Sequence, residues 1–432
     1  MNLCVIGTGY VGLVTGAGFA ELGNNVVCID VDKVKIDNLK KGVVPFYEKG
    51  LKELVDRNLK AGRIKFTISM KEGIRDARII FVAVGTPSKE DGEADLSQVI
   101  KVAEELADLI QDYKIIAIKS TVPVGTFQLI REVLTGKIKE GTHFDIVSNP
   151  EFLREGDAVY DFFHPTRVII GVDEGKERVA DEIGELFRPL RAPIIKTSII
   201  NAQMIKYASN VFLASRISFI NEIANICERV GADVNEIARG MSFDKRLGEG
   251  YLRAGIGFGG PCLVKDLKAL IKMAENYGYE AQHLKSILIK NEHQVKHVVF
   301  KVKSMLGEVL YGKTIGVLGL TFKPGTNDTR NSLALKIIDL LKKEGAQVKA
   351  YDPKGMEEAK ILMNDLILCQ DPYEVALNSD LLLILTGWDE FKDLNFNHIK
   401  EKLKEPIIID GVNLLDPEKM RNLGFVYRGI GR

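Results

Sequence analysis

The stretch GFGGPCLVKD, residues 257–266, places a cysteine directly after Gly-Gly-Pro. Proline is common at the first position of a helix, so Pro261 predicts a helix start with Cys262 in its first turn. There the unpaired backbone N–H groups and the helix dipole favour an anion, and the pKa of a thiol can fall from about 8.5 to roughly 3.5–7.5. We therefore expect Cys262 to be a reactive thiol, with a small buried thiol as the alternative.

Asp266 lies four residues after Cys262 and faces the same side of that helix. Because its charge would oppose a thiolate, we assign it to orienting a water molecule or a neighbouring lysine. A reactive thiol suits aldehyde oxidation, since an aldehyde gives up a hydride only after a nucleophile adds to its carbonyl. The addition gives a thiohemiacetal, hydride loss gives a thioester, and water releases the acid.

A glycine-rich loop, GTGYVG at Gly7–Gly12, follows the first apolar run and opens a helical pattern. In a βαβ unit such a loop lets the backbone and the helix N-terminus meet the pyrophosphate of a dinucleotide. Asp30 ends the second apolar run 18 residues beyond Gly12, a spacing that suits the ribose hydroxyls of NAD. A carboxylate disfavours the 2′-phosphate of NADP, although Lys35 nearby weakens that preference. A purely structural turn is the alternative.

Short apolar runs alternate with amphipathic stretches over the first 150 residues, which predicts a parallel sheet covered by helices. Strand ends in such sheets carry ligand contacts, so we expect VGTP (84–87) and STVPVGT (120–126) to line the dinucleotide crevice. One long helix without Gly or Pro runs from 201 to about 230, and its apolar faces suggest burial between domains or subunits. Residues 244–262 form a glycine-rich loop. The strand–helix alternation then resumes after a boundary near 307–313.

The bulk composition excludes several classes of partner. The 59 basic residues balance 59 acidic ones, so no global charge indicates nucleic acid or a membrane surface. No apolar run reaches the roughly 18–20 residues that span a bilayer, and the opening lacks the features of a signal peptide. Five scattered cysteines without a CxxC fit a reducing compartment, so we expect a cytoplasmic protein. His293 and His297 lack the glutamate of a zinc-protease helix; we expect two exposed helix residues and no metal.

Several blocks of the sequence, in order and over essentially its whole length, resemble the UDP-glucose/GDP-mannose dehydrogenase family. They are GTGYVGLVTGAGFAELGNNVVCIDVD, AVGTPS, KSTVPVGT, SNPEFLREG, MIKYASNVFLASRISFINEIANICERVGADV, GIGFGGPCLVKD, LGLTFKPGTNDTR and YDP. The resemblance implies a four-electron oxidation at C6 of UDP-glucose to UDP-glucuronate with two NAD. It also implies a homodimer formed around the long helix.

The fold class that follows is α/β, with two Rossmann-like parallel-sheet domains joined by a long central helix. We expect three regions: 1–200 as the NAD-binding domain, 201–306 as the central helical and dimerisation region with the cysteine loop, and 307–432 as the C-terminal UDP-sugar-binding domain.

Carried over by position, the resemblance assigns roles to individual residues. Cys262 matches the nucleophile, and Lys206 and Asn210, four apart on one helix face, match the groups that stabilise the oxyanion. Asp266 and Thr121 match residues that hold the catalytic water, and Glu151 matches a proposed general base. The implied cofactor contacts are Gly7, Gly9, Tyr10, Val11, Gly12, Asp30, Lys35, Thr86, Thr121, Glu155, Lys265 and Arg330. The implied substrate contacts are Glu151, Phe152, Leu153, Arg154, Glu155, Lys206, Asn210, Arg246 (reaching into the partner's site), Tyr251, Leu252, Arg253, Ala254, Gly255, Gly259 and Lys323.

Departures from the family pattern bear on the substrate. Pro261, Leu263 and Val264 stand where the family more often has Ser, Phe and Pro, which we expect to alter packing and leave the nucleophile in place. Val412 stands where relatives usually have an arginine that contacts the substrate. UDP-glucose is therefore the first expectation, with GDP-mannose or a UDP-hexosamine as alternatives. A non-catalytic NAD-binding protein is the alternative from another class.

Overall fold

A computed structural model describes residues 1–138, 142–248 and 250–432. The chain divides into two compact units, each assembled from two segments. Unit 1 comprises Met1–Ser209 and Lys268–Tyr279, and unit 2 comprises Asn210–Leu267 and Glu280–Arg432. Of the sequence expectations, the glycine-rich loop 244–262 contains one position, Glu249, that lies outside the described residues.

Unit 1 is built on an eight-stranded sheet. Its strands are β1 Asn2–Ile6, β2 Asn25–Ile29, β3 Ile64–Thr67, β4 Ile79–Val82, β5 Lys114–Ile118, β6 Phe144–Ser148, β7 Val168–Val172 and β8 Ile194–Ser198. They lie in the order β3-β2-β1-β4-β5-β6-β7-β8. The pairs are parallel except β6 with β7, which meet antiparallel at Ser148 and Gly171. The order 3-2-1-4-5-6 is that of a dinucleotide-binding sheet, with its crevice where the order reverses between β1 and β4.

Helices cover both faces of this sheet. They are α1 Tyr10–Glu21, α2 Lys33–Leu39, α3 Leu51–Lys60, α4 Met70–Ile74, α5 Ser97–Leu109, α6 Thr126–Lys137, α7 Ala158–Phe163 and α8 Glu177–Phe187, with a 3₁₀ turn at Arg188–Leu190. Strand β5 shows why residues 115–118 are all apolar: Ile115 and Ala117 join the core on one face, and Ile116 and Ile118 join the core on the other. Strands buried on both faces read as continuous apolar runs.

Four helices follow the first sheet: α9 Ile199–Val230, α10 Val234–Ser242, α11 Leu263–Asn276 and α12 Gln282–Leu306. The 32-residue α9 confirms the expected long helix. Two of the helices, α9 and α11, pass from one unit to the other. No helix in the described ranges is long and apolar enough to cross a bilayer.

Unit 2 holds a six-stranded parallel sheet. Its strands are β9 Thr314–Leu318, β10 Gln347–Tyr351, β11 Ile367–Leu368, β12 Leu381–Ile384, β13 Ile407–Asp410 and β14 Val426–Arg428. Its later helices are α13 Leu333–Lys343, α14 Met356–Leu362, α15 Pro372–Ala376, α16 Phe396–Lys402 and α17 Pro417–Asn422, with a 3₁₀ turn at Asp389–Lys392. The strand order β11-β10-β9-β12-β13-β14 repeats the 3-2-1-4-5-6 order of the first sheet. The α/β class with two Rossmann-like domains is therefore confirmed.

Two sequence expectations need correction. Helix α11 begins at Leu263, and the amide of Asp266 donates to the carbonyl of Cys262 at 2.9 Å. Cys262 is thus the residue that precedes the first helical position, and Pro261 lies one residue further out. His293 is exposed as expected, but His297 is half-buried because its Nε2 lies 2.8 Å from a carboxylate oxygen of Glu228.

Candidate active site

The glycines of the first loop are present for different physical reasons. Gly7 has φ +96°, and a Cβ there would lie 2.7 Å from the carbonyl oxygen of Ala83. A Cβ on Gly12 would lie 1.9 Å from the carbonyl oxygen of Gly7. Both positions therefore exclude a side chain. Gly9 differs, because no atom of the described chain lies within 4 Å of a Cβ built there.

Gly9 is also the residue that precedes α1, and as a glycine it has no side chain that could cap the helix. A helix N-terminus beside a glycine with open space around it is the arrangement that accepts a pyrophosphate. Tyr10 stacks on Phe46 with ring centroids 3.9 Å apart, which fixes the first residue of the helix. The loop fits the dinucleotide that the sequence predicts.

Asp30 follows β2 at the same edge of the sheet. Its Oδ2 accepts hydrogen bonds from the Thr8 amide at 2.9 Å, the Thr8 hydroxyl at 2.7 Å and Lys35 Nζ at 3.0 Å, and its Oδ1 accepts from the Asp32 amide at 3.1 Å. Burial alone would raise the pKa of this carboxyl, but the bonds from Thr8, Asp32 and Lys35 outweigh burial and lower it. Asp30 is therefore a fixed anion beside the glycine loop.

The loops that follow β4 and β5 are joined by a hydrogen bond. The hydroxyl of Thr86, in the loop after β4, donates to the carbonyl oxygen of Thr121, in the loop after β5, at 2.9 Å. Gln203 of α9 donates to the carbonyl oxygens of Val122 at 3.1 Å and Pro123 at 2.6 Å. These bonds hold the expected crevice-lining loops beside the start of the long helix.

Lys206 and Glu151 form a buried pair in unit 1. Lys206 Nζ donates to the carbonyl oxygen of Glu151 at 2.7 Å and to its carboxylate Oε1 at 3.1 Å, and Lys206 is only 5% exposed. The other carboxylate oxygen of Glu151 accepts from the Leu153 amide at 2.5 Å. The Phe152 ring lies 3.7 Å from the guanidinium carbon of Arg167 and 5.3 Å from Lys206 Nζ. The loop after β6 is thereby held against α9.

The rest of that loop has its own supports. Arg154 pairs with Asp161 through Nε at 2.9 Å and through Nη2 at 2.6 Å. Both oxygens of the buried Glu48 carboxylate accept backbone bonds, from the amide of Gly156 at 2.7 Å and from that of Ala158 at 2.8 Å. Glu155 lies between these anchored residues and is half-buried.

A buried cation beside this pair was missed by the sequence reasoning. Lys119 follows β5, is 5% exposed, and has its Nζ 5.8 Å from the Phe81 ring centre and 5.7 Å from the Phe187 ring centre. Burial is the main reason that the pKa of Lys119 falls to about 8; the charge of Glu151 opposes the fall and that of Lys206 adds to it. A lysine directly after an apolar strand was the available signal.

Cys262 is exposed, whereas Cys4, Cys28, Cys227 and Cys369 are buried. Burial raises the pKa of each of those four thiols, to about 12 for Cys28. Since the thiolate is the nucleophilic form, the four buried cysteines are poor nucleophiles. Cys262 is the one exposed thiol of the five, all of which lie in the described ranges.

Asp266 lies below Cys262 in the first turn of α11 and is 1% exposed. Its Oδ2 accepts from Asn210 Nδ2 at 2.6 Å, and its Oδ1 accepts from Lys265 Nζ at 2.6 Å. Unit 2 thus brings together Asn210, Lys265 and Asp266, all of which the sequence singled out. The lysine beside Asp266 is Lys265, for which the resemblance implied a cofactor contact.

The backbone of the glycine-rich loop before Cys262 is held by side-chain amides from α9 and α12. The amide of Gly255 donates to Asn221 Oδ1 at 2.8 Å, and its carbonyl accepts from Gln294 Nε2 at 2.8 Å. A Cβ on Gly259 would lie 2.6 Å from the carbonyl oxygen of Asn331. Asn221 and Gln294 are buried amides that the sequence reasoning did not single out.

Side chains of residues 251–254 alternate between core and surface. Leu252 and Ala254 belong to the buried core of unit 2, and Tyr251 and Arg253 are exposed. Tyr251 also has φ +63°, an uncommon conformation for a residue with a side chain. Tyr251 and Arg253 are therefore the side chains of this stretch that can reach a ligand.

Three further predicted contacts are the long cationic side chains Arg330, Arg246 and Lys323. Arg330 pairs with Asp328, and its Nε lies 2.9 Å from Asp328 Oδ2. Arg246 is exposed and pairs with Asp244, with Nη2 at 2.5 Å from Oδ2. Lys323 follows Phe322, whose ring centre lies 5.9 Å from its Nζ. No cluster of metal-ligating side chains occurs among the described residues.

Comparison with known proteins gives a consistent result along the chain. Family models of the UDP-glucose/GDP-mannose dehydrogenase family match residues 1–191 (NAD binding domain), 200–293 (central domain) and 316–417 (UDP binding domain). A UDP-glucose 6-dehydrogenase of Bacillus subtilis, TuaD, is 48% identical over 432 residues, covering 100% of this chain and 93% of that protein. A UDP-glucose 6-dehydrogenase of Rhizobium meliloti is 42% identical, with 100% of each chain covered.

Solved structures agree with the sequence relatives. A UDP-glucose dehydrogenase from Pyrobaculum islandicum has a TM-score of 0.93 at 36% identity, covering 100% of this chain and 97% of that one. A UDP-D-ManNAc dehydrogenase from Pyrococcus horikoshii has a TM-score of 0.87 at 28% identity, covering 100% and 99%. The resemblance drawn from the sequence motifs is confirmed, and the chain belongs to the UDP-glucose/GDP-mannose dehydrogenase family.

Proposed function

We propose that this protein is an NAD-dependent UDP-glucose 6-dehydrogenase that converts UDP-glucose to UDP-glucuronate. The observation that carries the proposal is the exposed Cys262 at the start of α11, since the other four cysteines are buried. Support comes from relatives of 42–48% identity over the whole chain that are named UDP-glucose 6-dehydrogenases. The UDP-binding family model at 316–417 supports a UDP-sugar as the substrate.

Unit 1 offers the groups for the cofactor. The amides at the start of α1 and the open space at Gly9 suit the pyrophosphate, and the fixed Asp30 carboxylate suits the ribose hydroxyls. Lys35 pairs with Asp30, so part of its charge is already compensated by a carboxylate. NAD bound here would accept the hydride in each of the two oxidations.

In the first oxidation, the C6 hydroxyl loses a proton and C6 loses a hydride, which leaves an aldehyde. The Cys262 thiolate then adds to the aldehyde carbon, and the carbonyl oxygen becomes an oxyanion. Lys206 and Asn210, one turn apart on α9, are the donors we assign to that oxyanion. Loss of a second hydride from C6 restores the C=O bond and leaves a thioester on Cys262.

Hydrolysis completes the reaction. Water adds to the thioester carbon, the C–S bond breaks, and the sulfur leaves as the thiolate. We assign Glu151 as the base that takes the proton from this water, and Asp266 with Thr121 as the groups that hold it. The Asp266 carboxylate is fixed by Asn210 and Lys265 at 2.6 Å each, which suits a group that positions a water molecule.

The active form that we propose is a homodimer in the cytoplasm. Phe212, Phe219 and Ile226 are exposed on α9 and are spaced seven residues apart, so they form one apolar stripe along the helix. Such a stripe favours a partner helix over water. Arg246, exposed at the end of its side chain, is the residue that we assign to the partner's site.

A UDP-hexosamine is the second candidate substrate, and Val412 is the observation that favours it. Val412 packs with the apolar cluster around β12 and β13, so it offers no charge to a sugar or phosphate. A relative of the same fold, 28% identical, is a UDP-D-ManNAc dehydrogenase.

The deciding experiment is a substrate panel scored by NADH yield. Purified protein is supplied with NAD and with UDP-glucose, UDP-N-acetylmannosamine, UDP-N-acetylglucosamine or GDP-mannose, each limiting. We expect two NADH for each UDP-glucose consumed and formation of UDP-glucuronate. One NADH per substrate would contradict the four-electron reaction, and turnover of another sugar nucleotide in preference to UDP-glucose would replace the substrate assignment.

A further inference from the structure

The two sheets share a turn as well as a strand order. Gly7, after β1, has φ +96°, and its amide donates to the carbonyl of Ile29 at 2.8 Å. Gly319, after β9, has φ +95°, and its amide donates to the carbonyl of Tyr351 at 2.8 Å. In each case the acceptor is the last residue of the neighbouring strand. The residue after that acceptor is an aspartate in both sheets: Asp30 in unit 1 and Asp352 in unit 2.

The two aspartates occupy equivalent places but have different surroundings. Asp30 keeps a side chain that is 10% exposed, beside the start of α1, which begins three residues after Gly7. Asp352 is 0% exposed, and the corresponding helix, α13, begins only at Leu333. The connection after β9 covers Asp352, since the amides of Leu320 and Thr321 donate to its carboxylate. Asp352 is therefore closed to the ribose of a second dinucleotide.

One carboxylate oxygen of Asp352 holds the connection after β9. Its Oδ2 accepts from the amide of Leu320 at 2.7 Å, the amide of Thr321 at 3.1 Å and the hydroxyl of Thr321 at 3.2 Å. The same oxygen accepts from Trp388 Nε1, beyond β12, at 3.1 Å. Three strand ends of the sheet thus meet at this atom.

The other oxygen holds the turn that follows β10. Oδ1 accepts from the amides of Lys354 at 2.9 Å and Gly355 at 2.8 Å. A buried carboxylate with six hydrogen bonds is worth far more than a surface ion pair, because the four bonds from Leu320, Thr321 and Gly355 are buried and their donors would otherwise lack a partner. The cluster is rigid, and it lies at the carboxyl ends of the strands, where ligands of such sheets bind.

We infer that Asp352 is a positioning residue for the sugar nucleotide: it fixes Leu320 and Thr321 so that Lys323, two residues further, meets the ligand. Asp30 is assigned to the dinucleotide in unit 1. In unit 2 the equivalent aspartate, Asp352, instead supports the connection after β9 from within. This inference rests on the proposed function, since it takes the nucleotide to be UDP and Lys323 to be its contact.

The test compares Asp352→Asn with the matched variant Asp30→Asn. In Asp352→Asn an NH₂ group replaces one of the two carboxylate oxygens. It then faces either the four donors on Oδ2 or the two on Oδ1. Because an NH₂ group cannot accept these hydrogen bonds, the connection after β9 or the turn after β10 must move. We expect the KM for UDP-glucose to rise tenfold or more, with the KM for NAD and the kcat within about threefold. Asp30→Asn is expected to give the reverse split, with a raised KM for NAD alone.

Binding of UDP, measured by calorimetry on the same proteins, separates the inference from the reaction. UDP is expected to bind wild type and Asp30→Asn equally and Asp352→Asn at least tenfold more weakly. Equal UDP affinity in a folded Asp352→Asn, or a loss of NAD and UDP affinity together, would overturn the positioning role while leaving the proposed function standing. A wild-type protein that neither binds UDP nor oxidises UDP-glucose would refute the proposed function and this inference with it.

Discussion

Lys119 permits a quantitative prediction, because its ammonium is buried between the Phe81 and Phe187 rings. Its pKa falls to about 8 from the ordinary value of 10.5. Since each pH unit corresponds to about 1.4 kcal/mol, the charged form is disfavoured in the folded protein by roughly 3 kcal/mol. Lys119→Met removes the charge and keeps most of the apolar length of the side chain. We expect this variant to be more stable than wild type at pH 7 by up to about 3 kcal/mol.

The sign of the pH dependence follows from the lowered pKa. Below pH 8 both the folded and the unfolded chain carry the proton, so the full penalty applies. Between pH 8 and 10.5 the unfolded chain holds a proton that the folded chain has released, so the stability of wild type rises with pH. The advantage of Lys119→Met should therefore shrink to under about 1 kcal/mol at pH 10.

Urea unfolding at pH 7 and at pH 10 measures both quantities. Lys114→Met is the matched control, because Lys114 is equally buried but pairs with Asp112 at 2.8 Å and donates to the Arg75 carbonyl at 3.2 Å. Its loss should destabilise the protein at pH 7. A Lys119→Met protein that is less stable than wild type at pH 7, or equally stabilised at both pH values, would refute the reasoning.

Two further predictions concern the glycine loop and the proposed dimer. Gly9→Ala should fold with a wild-type melting temperature, since no described atom lies within 4 Å of its Cβ. It should bind NAD at least tenfold more weakly in a titration, because that Cβ would occupy the space proposed for the pyrophosphate. Gly12→Ala should lose folded protein, since its Cβ would lie 1.9 Å from the Gly7 carbonyl oxygen. An equal melting temperature for both variants would contradict this difference. Phe219→Glu should shift the protein from dimer to monomer in analytical ultracentrifugation, with Phe243→Glu, an exposed aromatic beyond α10, as the control that stays dimeric.

The sequence was most informative where burial fixes the residue types. Strands β1, β2, β4 and β5 are apolar because both faces of the sheet are covered, and their runs were predicted from that pattern alone. Strand β3 gives a weaker signal in the sequence, because IKFT is only four residues long and carries an exposed lysine at the sheet edge. The predicted start of α11 was too early. Pro261 indicates that a helix begins nearby, but the first helical residue is set by the carbonyl that accepts the first helical hydrogen bond, and that carbonyl belongs to Cys262.

The residues of the candidate site also differ in whether the sequence alone could identify them. The glycine loop, Asp30 and Cys262 could be singled out from the sequence alone, because each stands at a characteristic spacing from its neighbours along the chain. Lys119 and Asp352 were not, because each depends on neighbours that are distant in sequence. Asp352 reads as an ordinary turn residue in YDP until Leu320 and Trp388 are brought beside it.

The central claim is that the Cys262 sulfur carries the substrate through the second oxidation, and the rate of UDP-glucuronate formation by Cys262→Ala tests it most directly. Cys369→Ala serves as the control, because Cys369 is buried in the same unit. With UDP-glucose and NAD saturating, we predict acid formation at least about a thousandfold slower in Cys262→Ala and near the wild-type rate in the control. Acid formed by Cys262→Ala at the wild-type rate would contradict the thioester mechanism.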